Sequence, residues 1–146
     1  MRTRHTHALA AVAWLAAMAG PAAAQLRPPS VSCEAADFTM TLRLFIPLAA
    51  DGSGAPAPDG MLGALEIHHS KVERSQRVWV LDGRRPAQFW NEGGELKIML
   101  RLGSFSEPIT VIIETAQRQG DTQHTGAFTL VVAGTRLKGR LACNVR

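Results

Sequence analysis

Between Phe38 and Ile46 the chain sets an apolar side chain at every second position (Phe38, Met40, Leu42, Leu44, Ile46), with Thr39, Thr41 and Arg43 in between. A period of two sends neighbouring side chains to opposite faces of an extended backbone, so the segment fits a half-buried strand and not a helix. Pro47 follows and is expected to end it. The alternation recurs. Leu65 and Ile67 point inward and Glu66 and His68 outward over 63–69, and Val78 and Val80 share the inward face of 77–81. Leu96, Ile98, Leu100 and Leu102 follow the same rule.

Facing residues of a hairpin lie on one side of the sheet, so the register of the later strands can be checked by parity. A four-residue turn at 91–94 sets Phe89 opposite Leu96 and Ala87 opposite Ile98. A loop at 103–108 sets Leu102 opposite Ile109, Leu100 opposite Val111 and Ile98 opposite Ile113. A turn at Gly134–Thr135 pairs Val132 with Leu137, Leu130 with Gly139 and Phe128 with Leu141. All three hairpins then share one inside. About seven short strands with frequent turns predict an all-β fold, a single antiparallel β-sandwich or flattened barrel.

The first 24 residues are set apart. Met1–His7 is basic, Ala8–Ala19 is an apolar run, Gly20–Pro21 breaks it, and Ala22–Ala23–Ala24 fits a small-residue cleavage site. Such a run is too short to cross a bilayer, which takes about 20 residues, and matches a cleavable signal peptide over 1–24. Residues 25–32, with Pro28–Pro29, read as an extended leader, and 33–146 as the β domain. A periplasmic or secreted location, in a bacterial envelope, is the expectation, with no transmembrane segment after cleavage. Loss of Arg2 and Arg4 lowers the net charge from +4 to +2, so global charge gives no reason to expect nucleic acid.

Export also bears on the two cysteines, Cys33 and Cys143, because thiols pair in an oxidising compartment. A Cys33–Cys143 disulfide would close a loop of 111 residues and tie the ends of the domain together. A reactive or metal-binding thiol pair would want a CxxC spacing or a nearby histidine, and the sequence has neither. Cys143 shares the parity of Leu137 and Leu141, which puts the cross-link in or beside the core.

Chemical motifs are sparse. The chain has no G-x-S-x-G elbow, S-x-x-K, H-E-x-x-H, P-loop or dinucleotide fingerprint, and no cofactor is implied. The serines of Gly103–Ser104–Phe105–Ser106 suit a turn. His68 and His69 are adjacent, so on a strand their rings project to opposite faces and cannot jointly hold one metal ion. Glu66 and His68 share a face, but a third ligand such as His124 would have to arrive through folding.

Two outward features point to binding. If Val78 and Val80 face inward, Trp79 faces outward. Trp90 does too, joined by Phe45, Leu81, Met99 and Ile112 in an apolar patch with flat indoles for stacking. Cover by the leader or by the loop at 49–60 is the alternative. On the last strand Arg136, Lys138 and Arg140 take successive outward positions about 7 Å apart. This cationic stripe fits an anionic envelope glycan, a lipid headgroup or an acidic protein partner, although charge on an edge strand also prevents aggregation. The expected function is an exported noncatalytic domain that recognises such a component. The alternatives are a small secreted hydrolase, or a protein inhibitor of a hydrolase that presents the loop at 103–108 or at 117–125.

Overall fold

The computed structural model describes residues 28–50, 52, 56–70 and 72–146. The expected signal peptide lies outside the described residues, as do residues 25–27 of the leader. The strands are β1 (Ser30–Ala36), β2 (Met40–Ala50), β3 (Pro56–Pro58), β4 (Leu62–Ile67), β5 (Val78–Val80), β6 (Gln88–Glu92), β7 (Glu95–Gly103), β8 (Pro108–Gln117), β9 (Gln123–Val132) and β10 (Thr135–Val145). A single 3-10 turn, Arg74–Gln76, is the only helical element among the described residues.

The class is all-β and antiparallel, as the alternation predicts, but the sheet has ten strands where about seven were expected. The additions come from segments that sequence rules discount. Ser30, Val31 and Ser32, read as leader, pair with Pro47, Ile46 and Phe45 in β1. β3 lies in the Gly/Pro-rich loop and pairs only with the end of β2, where prolines lacking an N–H can sit at an edge. Pro47 does not end β2, which continues to Ala50. It lies between the last pair with β4, Phe45–Leu62, and the first with β3, Leu48–Pro58, where a missing donor costs little.

The strand order is β5-β4-β2-β1-β10-β9-β8-β7-β6, with β3 beside β2. It is a meander except at one seam, where the first strand lies against the last. Among the described residues this seam is the only strand pairing that joins β1–β5 to β6–β10. The edge strands β5 and β6 are consecutive in the chain. Inward residues of both halves meet in one buried cluster that includes Leu42, Ile46, Leu65, Ile98, Val111, Phe128 and Leu130, so the sheet wraps around a single core.

Cys33 and Cys143 face each other across the seam and are joined, as the sequence predicts, by a disulfide. Ser30 and Arg146 exchange both backbone hydrogen bonds, at 3.0 and 2.9 Å. Alternation along the ladder then makes Cys33–Cys143 a pair without backbone hydrogen bonds, where facing side chains come closest. Their Cα atoms are 4.1 Å apart and both residues are wholly buried.

The β7–β8 register is the predicted one, Leu102–Ile109, Leu100–Val111 and Ile98–Ile113. Of the other two hairpins, one is tighter than expected and the other turns one residue earlier. Phe89 faces Ile98 and Asn91 faces Leu96, because the turn is only Gly93–Gly94. Leu137 faces Leu130 and Gly139 faces Phe128, because the turn is Ala133–Gly134. Both turns carry positive φ at both central residues, 61° and 80° in the first, 46° and 73° in the second, as the mirror-image hairpin turn requires. Each shift is by two residues, so every side chain keeps its face.

Two expectations about facing fail. Phe38 is exposed, since the chain turns there before β2 begins: Asp37 Oδ1 accepts the N–H groups of Thr39 (2.7 Å) and Met40 (3.0 Å). In β5 the faces are reversed. Val78 and Val80 are exposed, while Trp79 packs against the core opposite Leu65 and Leu81 is buried. Both faces of this strand are apolar, so alternation does not choose between them. Trp79 and Leu81 bury the larger area.

Candidate binding face

The outward positions of β6–β10 can be laid out in rows from the register. One row runs Arg140, Ala127, Glu114, Lys97, Trp90; the next runs Lys138, Thr129, Ile112, Met99, Gln88; a third runs Arg136, Val131, Thr110, Arg101. Strands lie about 4.8 Å apart, so Lys138 and Ile112 are separated by about 10 Å and Arg140 and Trp90 by about 19 Å along the sheet. The cationic stripe and the exposed indole therefore share one continuous face.

Trp90 is 51% exposed and lines an open concavity of about 700 Å³ with Gln88, Lys97, Met99, Ile112 and Glu114. Lys97 Nζ is held at 3.1 Å by Glu95 Oε2. Ala127 and Thr129, small side chains on β9, separate this concavity from the stripe. Arg136, Lys138 and Arg140 are all exposed and make no ion pair among the described residues.

Local packing holds the stripe outward. Gly139, between Lys138 and Arg140, faces inward, and the Phe128 ring and the Asp37 carboxylate occupy the space that a Cβ would take there. An aromatic ring over a cross-strand glycine fills the gap in the pleat. β10 is not a terminal strand of the sheet. Its pairing with β1 nevertheless ends at Glu34–Ala142, so Arg136 and Lys138 flank a locally open edge, and protection of that edge is a competing role for them.

Trp79 and Leu81 do not join this face. The Trp79 indole lies on the inner side and its Nε1 donates to the Gln76 carbonyl at 2.7 Å. Phe45 is outward, but on β2, where it adjoins Leu62; Val78 and Val80 extend that second apolar patch. The single patch expected from parity is thus divided between the two halves of the sheet. Phe105, fully exposed in the β7–β8 loop, escaped the parity scan because parity says nothing of loops. An aromatic between turn-forming serines was the available signal.

Among the described residues the histidines do not assemble a metal site. His68 Nε2 is 2.8 Å from Thr41 Oγ1, and its Nδ1 lies 3.9 Å from Glu66 Oε1, both on the outer face. His124 is inside the sheet, opposite Cys143. Among the described residues no group of three or more His, Cys, Asp or Glu is placed to hold a metal ion. Burial without compensation lowers the His124 pKa below the ordinary 6.5. Its Nδ1 and the neighbouring Thr115 Oγ1 are buried with no hydrogen-bond partner among the described residues. Comparison of the chain with protein-family models, with curated proteins and with solved structures found no match.

Proposed function

We propose that this is an exported binding domain whose β6–β10 outer face recognises an anionic component of the cell envelope, a glycan in preference to a lipid headgroup. The reading rests on one observation: three cations with no ion-pair partner among the described residues and a half-exposed indole lie on one face, about 23 Å apart at most, with only small side chains between them and the concavity. Guanidinium and ammonium groups supply charge-assisted hydrogen bonds to carboxylate, sulfate or phosphate. The indole offers a flat apolar surface to a sugar ring. An extended chain can meet both; a compact headgroup meets one.

Titration calorimetry with hyaluronate, neutral dextran and phosphatidylglycerol vesicles tests this. Binding of hyaluronate is expected, weakening at least tenfold between 50 and 500 mM salt as screening grows. It should be lost on Arg136→Glu, Lys138→Glu and Arg140→Glu together, and weakened on Trp90→Ala. Glutamates protect an open edge as well as cations do, so unchanged binding by the triple variant would leave the stripe only its solubility role. Vesicle binding without glycan binding would replace the sugar by a headgroup.

A further inference from the structure

The antiparallel meander brings the β7–β8 loop, the β9–β10 turn and residues 72–77 to one end of the sheet. Gln76 Nε2 donates to Glu107 Oε2 at 2.6 Å and links the first of these to the last. At the tip of the β7–β8 loop Phe105 is fully exposed and contributes nothing to the core. The loop keeps its shape without it. Ser104 Oγ accepts the Glu107 N–H at 3.1 Å and lies 3.0 Å from Ser106 Oγ. Gly103, at φ +84°, lets the Glu107 carbonyl approach where a Cβ would collide. Beside the loop is a concavity of about 410 Å³, lined by Glu73, Gln76, Glu107, Thr110 and Val131 among others. Neither carboxylate makes an ion pair among the described residues.

We propose that this end of the molecule docks a protein partner, with Phe105 entering an apolar pocket of the partner and a lysine or arginine beside that pocket entering the concavity between Glu73 and Glu107. A loop already fixed in shape loses little freedom on binding. A protruding aromatic that fills a pocket is the usual dominant contact of an interface. The two glutamates set the charge of the partner group that enters between them. Val131 in this lining is the cross-strand partner of Arg136, so the surface adjoins one end of the cationic stripe, but the proposal does not depend on a ligand at the stripe.

The test places p-benzoylphenylalanine at position 105 of the full chain in the cell that makes it, with the same photo-crosslinker at Gln119, in the loop at the other end of the sheet, as control. Illumination is expected to give a protein adduct from position 105 and none from 119. Its yield should fall at least tenfold when Glu73→Lys and Glu107→Lys are combined, and stay unchanged in the Lys138→Glu, Arg140→Glu variant. No adduct, an adduct of twice the chain's own mass, a lipid adduct, or an adduct indifferent to the glutamate reversals would overturn the proposal.

Discussion

His124 carries its imidazole inside the sheet, 4% exposed, and folding strips it of water without giving Nδ1 a partner. Its pKa is therefore lower in the folded chain than the ordinary 6.5 of the unfolded one. The unfolded state binds the proton first as pH falls. Above about pH 6.5 the imidazole is neutral in both states and costs nothing further; below it stability declines until the folded state also takes up the proton. Urea unfolding between pH 7.5 and 5 should show this loss, at most about 1.4 kcal/mol per pH unit from one group. His124→Gln should flatten the profile in that interval, and an unaltered slope in the variant would assign the loss elsewhere. The position itself was legible: His124 has the parity of Phe128 and Leu130. Its burial was not, because a histidine among polar residues reads as loop until the strand's start is known.

At the scale of single elements, β5 shows where patterning stops. Its five-residue neighbourhood, Arg77–Leu81, offers valine to one face and tryptophan with leucine to the other, and the larger pair is buried. Trp79→Ala should cost about 2–4 kcal/mol, somewhat less than for a wholly buried tryptophan. Val78→Thr and Val80→Thr should stay within about 0.5 kcal/mol. Thermal unfolding of the three variants distinguishes the observed facing from its reverse, which would exchange the two results. Hairpins were more readable than this strand, since Leu96 to Leu102 and Ile109 to Ile113 are apolar on their inward positions. The turns at Gly93–Gly94 and Ala133–Gly134 moved the register by two and left facing intact. Gly–Gly is a good mirror-image turn and was the available signal for the first, which the four-residue reading of 91–94 passes over; alanine at φ 46° is uncommon, and nothing in the residue type signals the second. The candidate face follows the same pattern: parity places Trp90, Met99 and Ile112 outward, as observed, and misplaces Trp79 and Leu81 with the rest of β5.

For the molecule as a whole, the seam between β1 and β10 matters most. Each half of the sheet presents one apolar face and neither closes without the other, so the chain must bring residues 110 positions apart together before the core is complete. Alternation and two cysteines made that closure legible. What stayed hidden was how far β1 reaches back into the leader, because Ser30 and Ser32 are small and polar and only pairing with Phe45 and Pro47 makes them strand. A cross-link of this span restricts the unfolded chain and contributes about 4–5 kcal/mol on the chain-entropy scale. Guanidinium unfolding of the oxidised parent against the Cys33→Ser, Cys143→Ser double variant measures it directly. The variant is expected to keep a β-rich spectrum and to lose stability by about that amount. Coincident unfolding curves would contradict a disulfide that holds the two halves of the sheet together at this seam.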